Sequence, residues 1–216
     1  MLQYAPHRGG HAHASNRTTG VVRRFGWWWL LVLSLGVCLT AVRPLDAASF
    51  TLTPQERDAA VRVGKRSITG EDFGGEWRVG GEGPGQVLQV MTPFHHLALA
   101  ARNSAFKNQE LKATDVEALV REQEGMLTLW ATLKGGKADF ARFYTPVIVS
   151  GEREIKARFT QNERTARRED DGSYTARCLY VFPAEGLKAN DTLMLIVRDS
   201  DDKPAAKFRV DLSAMR

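Results

Sequence analysis

Two adjacent histidines, His95 and His96, are the residues after position 49 with the clearest capacity for chemistry. They follow Thr92-Pro93, a pattern that predicts a helix start, so both should lie in its first turn. The positive end of the helix dipole favours neutral imidazole there, which is the form that a general base or a metal ligand requires. Successive helical residues project about 100° apart, so the two rings should not chelate one ion. A position at the surface or at the edge of the core is therefore favoured for both, with catalysis or metal binding as the alternative.

Two glycine-containing segments suggest a phosphate loop, and both fail on context. Residues 80–85 lead into a predicted strand, whereas a phosphate loop delivers backbone N–H groups at a helix N-terminus. The segment 64–67 lacks the glycine that should stand five residues before Gly64. Neither a Gly-x-Ser-x-Gly elbow nor a His-Glu-x2-His helix is present. The sequence therefore predicts a hairpin turn at 80–85, assigns no catalytic residue and predicts no cofactor.

The most charged stretch of the chain, residues 161–171, contains arginines that suit an acidic partner. Arg164, Arg167 and Arg168 could bind an anionic polymer or another envelope protein, because guanidinium groups recognise carboxylate and phosphate. Four carboxylates in the same stretch can neutralise them. A solvated loop is favoured, and a partner surface is the alternative.

Cysteine and tryptophan are predicted to lie in the core. Cys178 is the one cysteine after the leader, so no internal disulfide is expected there. Trp77 and Trp130 stand among apolar neighbours in predicted strands and are assigned to the core. Alternation predicts that one face of the strand around Cys178 carries Tyr174, Ala176, Cys178, Tyr180 and Phe182.

The N-terminal region predicts export. Residues 26–42 are uncharged and apolar, follow Arg23-Arg24 and precede a small-residue stretch, which is the order of a secretory signal. The apolar run is at the short limit for a membrane span. Cleavage near Ala47 or Ala48 is favoured, and an uncleaved anchor or a lipid on Cys38 are the alternatives. If the leader is cleaved, the domain that follows should lie in the periplasm or the medium. If the leader is retained as an anchor, it should hold the domain outside the cytoplasm.

The basicity of the chain belongs to its leader. Residues 1–48 hold five arginines and one aspartate, whereas the other 168 residues hold 25 basic and 24 acidic side chains. A nucleic-acid-binding domain needs clustered basic surface of its own, so no nucleic acid is predicted as a partner. Membrane contact is expected only through residues 26–42, if they are retained.

Periodicity divides the domain into two parts. Capping patterns at Thr53, Thr92 and Thr114 predict three helices, and a hairpin is expected around 80–85. Beyond Gly125 the apolar period changes to two, which predicts strands separated by turn residues. The strand candidates are 126–133, 140–149, 154–160, 174–182, 192–197 and 207–212, of which the last two should form a hairpin.

These patterns predict a mainly β protein with an N-terminal α+β portion and a C-terminal antiparallel β-sandwich. The run Asp170 to Tyr174 resembles the tyrosine-bearing turn of immunoglobulin-like domains, which implies an immunoglobulin-like arrangement, although the paired cysteine and strand tryptophan of that family are not evident. The predicted function is that of an exported envelope protein with a non-enzymatic binding or structural role. A periplasmic hydrolase or metal-dependent enzyme using His95 or His96, and a membrane-anchored accessory or sensory subunit, are the alternatives. The predicted segments are a basic tail (1–25) that could precede the true start, a signal or anchor (26–48), an α+β portion (49–125) and the sandwich (126–216).

Overall fold

The computed structural model describes residues 50–216. Within this part of the chain there are three α-helices and ten β-strands. The helices are α1 (Pro54–Arg66), α2 (Pro93–Phe106) and α3 (Ala113–Gln123). The strands are β1 (Arg78–Gly80), β2 (Val87–Met91), β3 (Met126–Gly135), β4 (Thr145–Ser150), β5 (Arg153–Lys156), β6 (Phe159–Gln161), β7 (Arg167–Arg168), β8 (Tyr174–Pro183), β9 (Thr192–Arg198) and β10 (Pro204–Asp211).

The predicted starts of α1 and α2 are confirmed. Thr53 caps α1 through a capping box with Glu56, and Pro54 occupies the first turn. The Thr92 hydroxyl accepts a hydrogen bond from the backbone N–H of His95 and caps α2. The predicted capping box at Thr114 is wrong, because α3 already begins at Ala113 and its N-cap, Lys112, makes no side-chain cap.

The strands form two antiparallel sheets, so the prediction of a mostly antiparallel β protein with some helices is confirmed. The first sheet has the order β1-β2-β3-β8-β6, with β7 also paired to β8. The second has the order β10-β9-β4-β5. The predicted hairpins β1–β2 and β9–β10 are both present. Pairing of β2 with β3 brings strands from either side of Gly125 into one sheet.

Strand alternation places one face of each sheet in a single hydrophobic core. Cys178 is fully buried there, which confirms its assignment as a core residue. The first sheet contributes Leu88, Val90, Leu127, Leu129, Ala131, Leu133, Ala176, Cys178, Tyr180 and Phe182, and the second contributes Ile148, Ile155, Leu193, Leu195, Val197, Ala206, Phe208 and Val210. The residues between these positions on the first sheet therefore lie on its opposite face, called the outer face below.

Two predicted strands are shorter or divided. The candidate 154–160 is two strands in different sheets, because the chain leaves β5 at Lys156 and joins the first sheet at Phe159. The candidate 140–149 begins its ladder only at Thr145. Successive turn hydrogen bonds, including Tyr144 N–H to the Ala141 carbonyl, replace strand pairing before it.

Gly64 lies where α1 packs on α2. A Cβ atom placed on it would come within 2.1 Å of the Ala98 carbonyl oxygen and 2.8 Å of the Ala101 Cβ. The glycine therefore sets a close approach of two helices, which is its structural use in the segment 64–67. Among residues 50–216, no helix is both long enough and apolar enough to cross a bilayer.

Candidate ligand pocket

A cavity of about 570 Å³ opens on the outer face of the first sheet. Its floor is formed by four neighbouring strands of that sheet, β1, β2, β3 and β8. Their register aligns Arg78, Gln89 and Trp130 in one row and Val87, Thr132 and Arg177 in the next. All six side chains line the cavity.

The other side of the cavity is formed by α2 and by the loop before β1. The helix supplies His95, Leu99 and Arg102, and the loop supplies Phe73 and Gly74. The position of α2 follows directly from the sequence, because its N-cap, Thr92, comes immediately after the last residue of β2.

His95 is held rigidly at the back of this cavity. Only 3% of the residue is exposed. Its Nδ1 lies 2.9 Å from the Val90 carbonyl oxygen, and its ring stacks on the indole of Trp77, with 4.1 Å between centroids and 7° between planes. Phe73 contacts the ring edge-on at 5.9 Å. Three groups therefore fix the ring: the Val90 carbonyl, the Trp77 indole and the Phe73 ring.

The hydrogen bond to Val90 determines which nitrogen of His95 is free. A carbonyl oxygen only accepts, so Nδ1 carries the hydrogen and Nε2 of the neutral ring is an acceptor. Burial lowers the pKa of His95, opposed by the Val90 hydrogen bond and by the charge of Glu76, so the ring is neutral near pH 7. Nε2 is adjacent to Gly74, where an added Cβ would lie 3.8 Å from it. Within the described residues the one hydrogen bond of the His95 ring is the one through Nδ1, so Nε2 can accept a proton or a hydrogen bond from a ligand in the cavity.

The end of the described chain supports the Trp77–His95 stack. The Trp77 Nε1–H donates to the Arg216 carbonyl oxygen at 2.8 Å, and the Thr92 hydroxyl donates to the same oxygen at 2.6 Å. The Arg216 guanidinium pairs with Glu76 through both carboxylate oxygens, at 2.7 and 3.1 Å. These contacts hold the loop that carries the indole against α2.

Two of the three cavity arginines are positioned by aromatic rings. The Arg102 guanidinium lies 4.9 Å from the centroid of Phe73, and that of Arg177 lies 5.3 Å from the centroid of Trp130. Arg102 also donates through Nε to the Ser67 carbonyl at 3.0 Å. Both guanidinium groups are thus oriented before any ligand binds.

The cavity carries positive charge without a matching carboxylate. None of the ion pairs among residues 50–216 involves Arg78, Arg102 or Arg177, and no aspartate or glutamate lines the cavity. The Glu163 carboxylate accepts a hydrogen bond from the Arg177 backbone N–H and forms no ion pair with the Arg177 side chain. The lining therefore suits an anion.

A second cavity, of about 450 Å³, is balanced in charge. It lies beside β4 and β5 and includes Glu154, Lys156, Arg198 and Asp202. Arg198 and Asp202 pair at 3.1 Å. This cavity has no excess of either sign.

The structure separates the two predicted histidines. His95 lines the cavity, whereas His96 does not, and the His96 Nε2 is buried without a partner. Burial and the neighbouring His95 lower the pKa of His96 to about 4. Among residues 50–216 no group of three or more His, Cys, Asp or Glu side chains could hold a metal ion. Metal binding or catalysis by either histidine stays a prediction.

The predicted partner residues lie away from the cavity lining. Arg167 and Arg168 form β7, and Arg164 lies in the loop before it. Arg167 pairs with Glu169 at 2.9 Å, whereas Arg164 and Arg168 are exposed and take part in none of the ion pairs found in the described region. Their role as a partner surface stays a prediction.

Five cavity residues were not singled out as binding groups from the sequence. They are Arg78, Gln89, Arg102, Trp130 and Arg177. The pairing register that aligns these residues cannot be read from the sequence.

The prediction that Trp130 lies in the core is wrong, because Leu129 and Ala131 on either side of it point into the core. Strand alternation alone could have placed Trp130 on the outer face.

These features define a class, that of a β-rich domain with a cationic pocket on the outer face of one sheet. No protein-family model matches the chain, and no curated protein matches it. One solved structure, a novel protein of unknown function from Burkholderia pseudomallei, resembles it over 76% of this chain and 92% of that one, with 11% sequence identity and a TM-score of 0.39. A likeness at this level carries no information about function.

Proposed function

We propose that this chain is an exported cell-envelope protein whose domain binds a small organic anion without transforming it. The observation that carries the proposal is the cavity of about 570 Å³, which is lined by three arginines and no carboxylate. Ligand pockets commonly measure about 300–1,000 Å³ and combine apolar walls with a few polar groups. This cavity has both, with Val87, Leu99 and Met91 among its apolar side chains.

Pre-orientation of the arginines supports binding. A guanidinium that is already stacked on an aromatic ring loses less conformational freedom when it meets an anion. Arg102 and Arg177 have this arrangement, and it needs no catalytic step to be useful. Arg102 is also partly buried, and partial withdrawal from water strengthens the attraction of a guanidinium to a negative charge.

Export rests on the leader pattern of residues 23–48, and the periplasm or the medium is the proposed location.

The finer fold proposal is that residues 126–216 form an immunoglobulin-like sandwich. It is supported by the distribution of their strands between two antiparallel sheets. β3, β6, β7 and β8 lie in the sheet that β1 and β2 complete, and β4, β5, β9 and β10 lie in the other.

Neutralising the cavity should weaken anion binding. The probe is anilinonaphthalene sulfonate, an aromatic anion whose fluorescence rises on binding, titrated into the purified protein. In the double variant Arg78→Gln/Arg177→Gln we expect a Kd at least about tenfold higher, because each lost charge contact contributes on the order of 1 kcal/mol. Neither side chain makes a hydrogen bond within the described residues, so the fold should persist.

The matched control is Arg62→Gln/Arg209→Gln, which removes the same charge from exposed positions outside the cavity. It should bind the probe as the unmodified protein does. Equal weakening in both double variants would mean that overall charge, and not the cavity, attracts the anion, and the proposed function would be rejected.

A further inference from the structure

Resting on the proposed function, the geometry points to a narrower ligand class, and we propose that the pocket takes a hydroxylated aromatic carboxylate. Its carboxylate binds the cavity arginines, and its hydroxyl donates a hydrogen bond to Nε2 of His95. The ring between them contacts the apolar wall.

The requirement for a donor comes from His95. Its Nδ1–H is already committed to the Val90 carbonyl at 2.9 Å, so Nε2 can only accept. Nε2 belongs to a side chain that lines the cavity, and it has no partner among residues 50–216. A ligand that displaces water from this acceptor must bring a donor of its own, because an acceptor left without any partner is costly, and a carboxylate has no donor at neutral pH. A ligand hydroxyl removes that cost.

The requirement for an anion comes from the three arginines of the lining. Arg78, Arg102 and Arg177 have only donors, and no carboxylate lines the cavity beside them. The anionic end of the ligand therefore belongs at the guanidinium groups and its donor at His95. One molecule satisfies both only if it carries the two groups at separated positions.

A flat apolar body suits the rest of the lining. Leu99, Met91 and the rings of Phe73 and Trp130 also line the cavity. A rigid aromatic scaffold holds a hydroxyl and a carboxylate apart without losing internal rotations on binding. The cavity volume leaves room for a fused two-ring system.

Three kinds of matched compound test the assignment by calorimetric titration of the purified protein. The hydroxynaphthoate isomers carry a hydroxyl and a carboxylate, naphthoate lacks the hydroxyl donor, and naphthol lacks the negative charge. We expect at least one hydroxynaphthoate to bind at least about tenfold more tightly than naphthoate, since a site built around a polar group discriminates against analogues that lack it. Naphthol should bind more weakly still.

The variant His95→Phe keeps an aromatic ring against Trp77 and removes the acceptor. It should bind hydroxynaphthoate and naphthoate within about twofold of each other, because only the lost hydrogen bond distinguished them. The comparison of the three compounds on the unmodified protein needs no variant, so it decides the question even if His95→Phe does not fold.

The outcomes separate this inference from the proposed function. If naphthoate binds as tightly as every hydroxynaphthoate while binding still depends on Arg78 and Arg177, the hydroxyl assignment is wrong and the anion pocket stands. If no aryl carboxylate binds but anilinonaphthalene sulfonate does so through the arginines, the carboxylate class is wrong. If the sulfonate also binds without the arginines, both proposals fail.

Discussion

At the scale of single residues, burial is the largest cause of the lowered pKa values of the two histidines. The sequence predicted neutral His95 and His96 from their place in the first turn of a helix. Both pKa values are indeed lowered, and the largest cause for each is loss of solvent. The direction was predictable because the helix start was, but the stack on Trp77 depends on a loop that no local pattern assigns.

His96 should make the protein sensitive to mild acid. Its pKa is about 4 in the folded state, against an ordinary value of 6.5. The unfolded chain therefore takes up a proton first as pH falls from about 6.5 to about 4, and stability is lost across that window. We expect the free energy of unfolding to fall by on the order of 2 kcal/mol from this group between about pH 7 and about pH 4.5. Urea unfolding at the two pH values measures it.

The variant His96→Leu isolates that contribution, because the carboxylates and His95 titrate in both proteins. In the unmodified protein the His96 Nε2 is buried without a partner, so replacement by leucine should leave the stability at neutral pH nearly unchanged. The loss of stability towards pH 4.5 should become smaller. An identical loss in both proteins would show that His96 is not held neutral by the fold.

At the scale of elements, local patterns predicted most of the helices and strands and the pairing within two hairpins, β1–β2 and β9–β10, but not the other strand partners. The alternation around Cys178 correctly predicted which side chains face the core. The break inside 154–160 was missed, because Ile155 and Phe159 continue a plausible period while the backbone crosses between sheets. Register and sheet assignment depend on contacts between residues far apart in the sequence, and those contacts create the pocket.

The packing of α1 on α2 should depend on Gly64. Gly64→Ala would place a methyl group 2.1 Å from the Ala98 carbonyl oxygen, so the helices must separate. Alanine has the higher helix propensity by about 1 kcal/mol, yet overpacking typically costs about 1–3 kcal/mol. We expect net destabilisation, seen as a lower midpoint in urea unfolding. Because Arg102 and His95 lie on α2, binding of anilinonaphthalene sulfonate should weaken as well.

Gly136→Ala is the control for that substitution. A Cβ at Gly136 would meet no atom within 4 Å, and its backbone is not left-handed. This variant should unfold at the same urea concentration as the unmodified protein. If Gly64→Ala did so too, the helix crossing would not be as close as described.

At the scale of the whole molecule, location and ligand are separate questions. The leader lies outside the described residues, so export remains a prediction from composition and charge order. Fractionation of cells followed by intact-mass measurement checks it. A soluble periplasmic or secreted species that begins near Ala48 is expected, and a full-length cytoplasmic species would contradict export. A wash-resistant membrane species that keeps residues 26–42 would instead support the anchored alternative.

The central claim is that a cavity on the outer face of the first sheet binds an anion through its arginines, with His95 in the lining of the same cavity. The most direct measurement is a nuclear magnetic resonance titration with anilinonaphthalene sulfonate that follows the arginine Nε–H, tryptophan indole and histidine ring signals. We expect saturable shifts at Arg78, Arg102, Arg177, Trp130 and His95. Shifts confined to the predicted partner surface, Arg164, Arg167 and Arg168, or no saturable shifts at the cavity residues, would contradict the account.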